Sequence, residues 1–263
     1  MIKIKSINAK SFLVKTGLGH DFACNPYNGC EHGCLYCYAQ TMPGPANRNE
    51  PWGTYVDIKE FPDYNIPKNT GSKSLFFSSM TDPYQPIEAS SRKTREALES
   101  IYESHLDISI LTKSALVTRD LDLFKQMKSV KIGFSISLDD DHAKIFEPRA
   151  SLPSERIKAL KTLHQAGIKT YVFISPIIPY ITDVFNIIDE VKDDVDYLMF
   201  DTLNLKDLAN KRRIFRLIET LKPDRLSDYQ KIFDFKTSSY YSDLKIKIID
   251  YIKTLEIPCH YLY

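Results

Sequence analysis

The chain has 263 residues, 43% hydrophobic and 26% charged, the balance of an ordinary globular protein whose core needs no disulfide or metal staple. Lys and Arg number 35 against 34 Asp and Glu, so the formal charge of +1 demands no polyanionic partner. Apolar runs such as 170–178 are broken by Ser175 and Pro176 and ended by Pro179, far short of the roughly 20 residues of a spanning helix, and Met1 to Lys5 lacks the layout of a secretion signal. The expectation is a cytosolic protein.

In chain order, Phe22 to Cys24 reads as a first strand and leads into a cluster of cysteines. Cys24, Cys30, Cys34 and Cys37 fall within fourteen residues, whereas Cys259 stands alone near the far end. Such clustering in a reducing compartment suits a metal ligand set better than a disulfide framework. Residues 40–74 form a long connection rich in Pro, Gly and Asn, with an apolar patch around Trp52 to Ile58.

Strands and helices then alternate. Leu75 to Ser79 precedes a helix around Ser91 to His105, and Ile108 to Thr112 precedes a helix capped by Thr118. Lys131 to Leu138 leads to a helix over Ser154 to Ala166, capped by Ser154 and stopped by Gly167. Ile168 to Ser175 is followed by a helix over Asp183 to Val191 with Thr182 as cap, and Val195 to Phe200 closes the series. Six strands with helical connections fit an open partial barrel or a doubly wound sheet equally well by periodicity. Residues 206–263 carry 12 Lys or Arg against 8 Asp or Glu and six of the sixteen tyrosines. They read as a mostly helical extension packed on a core of residues 1–205.

Cys30-Glu-His-Gly-Cys34-Leu-Tyr-Cys37 spaces three thiols at intervals of four and three. One loop can wrap them round three corners of a cubane, leaving the fourth iron open to a small molecule. Gly29 and Gly33 suit a loop that turns back on itself. A four-cysteine zinc site or electron-transfer cluster, a non-catalytic metal-binding module, is the alternative. Cys24 and Cys259 also read as small buried residues.

With the strings Asn25-Pro-Tyr-Asn-Gly-Cys30, Cys37-Tyr-Ala39, Thr81-Asp-Pro-Tyr-Gln-Pro86 and Pro176-Ile-Ile-Pro179, the sequence resembles the radical S-adenosylmethionine (radical SAM) superfamily. Within it the resemblance is to the DNA-photolyase-like branch related to spore photoproduct lyase, over roughly residues 22–204. It implies a partial (β/α)6 barrel of the TIM type, a cluster loop over 24–38, and a 4Fe-4S cluster on Cys30, Cys34 and Cys37. It also implies S-adenosylmethionine on the open iron and an electron donor such as flavodoxin or ferredoxin. The implied reaction is reductive cleavage of S-adenosylmethionine to a 5′-deoxyadenosyl radical that abstracts hydrogen from a substrate.

The resemblance sets Tyr36 against the adenine and Ser79, Thr81 and Asp82 near the methionine amino group. Lys113 falls at the methionine carboxylate, and Ser135 or Ser137, one pleat apart on the same face, at the ribose. Glu147 and Arg149 belong to a further family string, Glu147-Pro148-Arg149. Tyr38 and Tyr84 lie in family strings beside the cofactor, where a phenol can relay a hydrogen atom. Phe77 to Asp82 contains no cysteine, where spore photoproduct lyase carries a hydrogen-donating one. The substrate is therefore left between nucleic acid and a peptide or small metabolite. The run Lys211-Arg212-Arg213 with Arg216 reads as a solvated helix face or a nucleic-acid contact.

Overall fold

The computed structural model describes residues 2–17, 19–42, 49–66 and 73–263. Met1 and parts of the long connection, 43–48 and 67–72, lie outside the described residues. The strands are β1 (Lys3–Asn8), β2 (Val14–Lys15), β3 (Phe22–Cys24), β4 (Tyr27–Asn28), β5 (Tyr55–Glu60), β6 (Ser74–Phe77), β7 (Asp107–Thr112), β8 (Val130–Ser135), β9 (Lys169–Ile177), β10 (Tyr197–Thr202) and β11 (Cys259–Tyr261). The α-helices are α1 (Glu88–Ser91), α2 (Lys93–Glu99), α3 (Leu121–Phe124), α4 (Asp140–Phe146), α5 (Pro153–Gln165), α6 (Val184–Val191), α7 (Leu208–Leu221), α8 (Leu226–Phe233) and α9 (Tyr240–Lys253).

The main sheet runs β11-β10-β9-β8-β7-β6-β3-β2 and is parallel except for the β2–β3 pair. From β3 to β10 every crossover advances the same way across the sheet. A doubly wound sheet would reverse at a switch point, so the order decides for the partial barrel, with β2 and β11 as its open edges. A smaller sheet, β1-β5-β4, is built partly from the long connection, where the sequence reading had marked only an apolar patch. The C-terminal segment is mostly helical, yet it also supplies β11 to the barrel sheet.

Alternation along the strands separates two faces. Leu75, Phe77, Ile108, Ile110, Ile132, Phe134, Val172, Ile174, Leu198 and Phe200 join one buried core beneath the helices. Cys24 lies in that same layer, fully buried. The alternate residues turn inward: Phe76, Leu111, Phe173 and Met199 are half-buried there and form an apolar floor. One pleat toward the strand C-termini come Asn25, Ser78, Lys113, Ser135, Ser175 and Asp201, and then Ser137. Deeper in the barrel a Cβ on Gly133 would sit 2.1 Å from the Tyr171 ring. Gly133→Ala is therefore expected to destabilise the protein by about 1–3 kcal/mol through overpacking. Urea denaturation measures this, and an unchanged midpoint would contradict it.

Three helix starts differ from the sequence reading, each by local hydrogen bonding. Ser114, not Thr118, caps the turn Ala115–Asp120 by accepting from the Leu116 N–H. Pro153 occupies the first turn of α5, where its missing N–H costs nothing, and Glu155 reaches back to the Leu152 N–H, so Ser154 is inside the helix. Asp183 caps α6 while Thr182 accepts from the Ile178 N–H. Gly167 stops α5 with φ of +80°, as the sequence suggests.

Candidate functional site

The cysteine loop leaves the C-terminal end of β3 and crosses the barrel mouth. Gly29 (φ +85°) and Gly33 (φ +61°) make its turns, and added Cβ atoms would sit 2.5 Å from the Tyr55 carbonyl oxygen and the Arg149 Nη2 respectively. Protein groups grip its backbone from several sides. Arg149 donates to the carbonyls of Glu31 and Gly53. Gln85 accepts from the Glu31 N–H at 2.7 Å and donates to the Gly29 carbonyl, which also takes the Thr81 hydroxyl at 2.7 Å. Gln40 and Asn210 donate to the Cys37 carbonyl at 2.7 and 3.3 Å, and Arg213 to the Leu35 carbonyl at 3.1 Å.

Cys34 and Tyr36 pack in a second apolar cluster with Phe146 of α4 and with Ile214 and Ile218 of α7. The C-terminal helices thus form one wall of the loop. Cys30 and Cys34 are buried and Cys37 half-buried. Burial first, then neighbouring negative groups, pushes the Cys30 thiol up to about 12, and burial raises Cys34 and Cys37 as well. A bound cation would favour the thiolate form of all three.

Below the loop sits a buried polar constellation. The Tyr36 hydroxyl donates to Glu147, which also pairs with Arg156; neither charged side chain is exposed to solvent. Burial would raise the Glu147 carboxyl, but Arg156, Lys113 and the Tyr36 hydroxyl outweigh it and hold it below the usual carboxylate range. Arg156 also donates to the carbonyls of Ser135 and Ser151, both at 2.8 Å. The Lys113 ammonium lies 5.7 Å from the centre of the Tyr36 ring and has no ion-pair partner among the described residues.

Asp82 is buried with both oxygens committed. It accepts the Thr112 hydroxyl at 2.6 Å, the Lys113 N–H at 2.7 Å and the Tyr84 N–H at 2.9 Å, and His32 Nδ1 stands 3.5 Å away. Burial lowers His32 to about 4, so that contact joins a neutral imidazole to the carboxyl. Ser79 exchanges hydrogen bonds with the Asn25 amide, and its carbonyl takes the Tyr38 hydroxyl at 2.9 Å. Tyr38 itself is exposed at the mouth.

Tyr84 goes elsewhere. Buried in the helix-facing core, it gives its hydroxyl to Asp120 at 3.0 Å, within an ionic network of Arg95, Arg119 and Glu88. Ser135 donates to the Ser175 carbonyl at 2.9 Å, whereas the buried Ser137 and Ser78 hydroxyls have no partner among the described residues. Cys24 faces the helix core, away from the inner face that bears the mouth residues.

Sequence reasoning missed Asn25, Gln85, Arg156, Asn210 and Arg213 as parts of this site. Asn25 and Gln85 stand in the family strings, and Arg156 shares the core-facing stripe of α5 with Ala159, Leu160 and Leu163, where an arginine needs a buried partner.

The donor set fits a polynuclear cluster. Cys30, Cys34 and Cys37 are three soft thiol donors on one short loop, and a cubane takes each thiolate on its own iron. The unpartnered hydroxyls of Ser137 and Ser78, together with the unpaired Lys113 ammonium, mark the inner face as built for a polar ligand.

A family model for the radical SAM superfamily matches residues 24–193. An uncharacterized protein of Methanocaldococcus jannaschii is 42% identical over 208 residues, which cover 78% of this chain and 79% of that protein. A radical SAM Nalpha-GlyT isomerase of Pseudomonas phage M6 is 26% identical over 229 residues, 83% of this chain but 44% of the isomerase. Among solved structures, a spore photoproduct lyase variant with bound AdoMet and dinucleoside spore photoproduct aligns with a TM-score of 0.72 at 17% identity, over 99% of this chain and 82% of that one. That last likeness is one of fold. No helix among the described residues is long and apolar enough to cross a membrane.

Proposed function

The chain belongs to the radical SAM superfamily, and on that premise we propose that it is an enzyme that reductively cleaves S-adenosylmethionine and uses the 5′-deoxyadenosyl radical to take hydrogen from a nucleic-acid-derived substrate. The observation that carries this reading is the set of three thiols on one braced loop, directly beside the unpaired Lys113 ammonium and the Tyr36–Glu147–Arg156 constellation. Cys30, Cys34 and Cys37 would hold a 4Fe-4S cluster. When bound, it supplies one-electron reducing power and an iron with free coordination sites.

The remaining residues divide by what their polar atoms already do. Lys113 is free to pair with the methionine carboxylate, and Asp82 fixes the backbone from which it projects. Tyr36, its hydroxyl anchored on Glu147, presents its ring to the adenine. Of the two serines offered to the ribose, Ser137 has the unused hydroxyl. Ser79 forms the wall beside the methionine amino group; Thr81 and Arg149 fasten the loop. Tyr38, exposed at the mouth, takes the role of relaying a hydrogen atom, and Tyr84, held by Asp120, belongs to the scaffold. The apolar floor of Phe76, Leu111, Phe173 and Met199 keeps water and stray hydrogen donors from the radical.

A dinucleoside in the structural relative supports the nucleic-acid substrate. A peptide or small metabolite is the second reading, favoured by the neutral overall charge and by the absence of a thiol in 77–82. Binding of DNA or RNA that falls steeply with salt supports the first, and no binding at low salt removes it. The reaction class is tested by reducing the reconstituted protein with dithionite under anaerobic conditions. Formation of 5′-deoxyadenosine is expected, and a colourless protein that never cleaves S-adenosylmethionine would mean a non-catalytic metal-binding module. Lys113→Ala should weaken S-adenosylmethionine binding roughly 10- to 100-fold, the worth of a charged hydrogen bond, without loss of iron. If the variant bleaches instead, the lysine is structural.

A further inference from the structure

We propose that the arginine-lined groove between α7 and the cysteine loop is the docking surface for the reductant, a small electron-carrier protein with an acidic face. The inference rests on the reaction class proposed above and adds the place where its electron enters.

An open groove of about 540 Å3 lies where α7 meets Leu35 of the cysteine loop. Its lining includes Leu35 from the loop and Arg212, Arg213 and Arg216 from α7, and no carboxylate contributes to it. Arg212 and Arg216 are exposed, on successive turns of one helix face, and neither has an ion-pair partner among the described residues. Neighbouring cations of the C-terminal helices are neutralised: Lys211, one residue away, pairs with Asp234, Arg225 with Asp224 and Asp228, and Lys231 with Asp228. Unpaired guanidinium groups around a concave, partly apolar floor form an attractive field for an anionic partner.

Position selects the occupant. Leu35 is the covalent neighbour of Cys34 and reaches the groove floor, while Tyr36 and Lys113 lie on the inner side, where substrate and S-adenosylmethionine belong. Arg213 ties the groove to the loop by donating to the Leu35 carbonyl and to the Gln40 side chain. A partner seated on Arg212 and Arg216 therefore stands against Leu35, one residue from Cys34 in the loop. A reduced carrier docked here would give up one electron to the cluster that Cys30, Cys34 and Cys37 would hold, with no bond or proton changing hands.

The test compares the reconstituted wild-type protein with Arg212→Glu/Arg216→Glu and Arg212→Lys/Arg216→Lys, leaving Arg213 in place because it braces the loop. Each is driven either by dithionite or by an enzymatically reduced flavodoxin with an acidic surface, and flavodoxin binding is titrated separately at several salt concentrations. The glutamate pair should cut flavodoxin-driven 5′-deoxyadenosine formation and flavodoxin affinity by about tenfold or more. Dithionite-driven turnover should stay at the wild-type level, and the lysine pair should retain most of both activities.

Unchanged flavodoxin binding and reduction in the glutamate pair would overturn the proposal. So would loss of oligonucleotide binding with flavodoxin reduction intact, which would make the groove a nucleic-acid contact, or equal loss with both reductants, which would make it structural. Wild-type protein that binds flavodoxin through these arginines yet yields no 5′-deoxyadenosine even with dithionite would sink the reaction class and leave the docking surface standing.

Discussion

Replacing any one of Cys30, Cys34 or Cys37 with alanine is expected to abolish both iron–sulfur binding and 5′-deoxyadenosine formation. With only three protein thiolates on the cubane, removing one leaves a corner iron with no protein ligand, and the Glu31 carboxylate in the loop is already engaged by the Ile87 N–H. Cys24→Ala should retain about four irons, the count of one cubane, because this thiol lies in the helix-facing core. Iron and sulfide analysis with absorption spectroscopy reads the cluster, and chromatography reads the nucleoside. An alanine variant at position 30, 34 or 37 that keeps its iron and turns over would refute the ligand set. Loss of the cluster in Cys24→Ala would show that the set is incomplete.

The second large effect is structural. Glu147→Ala should destabilise the fold by about 3–5 kcal/mol, because the Arg156 guanidinium would be left as an uncompensated charge with no solvent access. For a chain of this size that corresponds to a fall in melting temperature on the order of 10 °C. The double variant Glu147→Leu/Arg156→Met should be less damaged than Glu147→Ala alone, since it buries apolar volume without an orphan charge. Urea unfolding of the two variants distinguishes the outcomes. If the double variant is the less stable, the pair contributes more than mutual neutralisation. The Tyr36 ring depends on the same carboxylate, so Glu147→Ala should also loosen S-adenosylmethionine binding.

How far the sequence foretold this molecule depends on the range of the forces involved. The strands of the barrel emerged from local periodicity because each alternates between a helix-facing apolar layer and an inner face, as in Val172 and Ile174 against Tyr171 and Phe173. The cysteine loop was equally plain, since its spacing is itself the chemistry. Helix starts were less so: Ser114 and Asp183 each won a competition among neighbouring cap-forming residues that composition does not decide.

The supports of the site were hidden because they come from distant parts of the chain. Arg149, Asn210 and Arg213 reach the loop backbone across more than a hundred residues of sequence, and no local pattern reports where a carbonyl oxygen will need a donor. Asp82 shows the converse. Its family string drew attention to it as a cofactor contact, yet in the fold its oxygens accept the Thr112 hydroxyl and the Lys113 and Tyr84 backbone N–H groups. The string from Cys259 to Tyr261 is strand-like in sequence, but a three-residue strand carries no period of its own, and only pairing with β10 places it in the barrel sheet.

The most direct measurement is Mössbauer spectroscopy of iron-57 protein, reconstituted without oxygen, before and after addition of S-adenosylmethionine. The account requires a 4Fe-4S cluster with one iron site distinct from the other three, whose signal alone shifts when the sulfonium compound binds. Four equivalent cysteine-ligated irons unaffected by S-adenosylmethionine, or a protein that takes up zinc in place of a cluster, would contradict it.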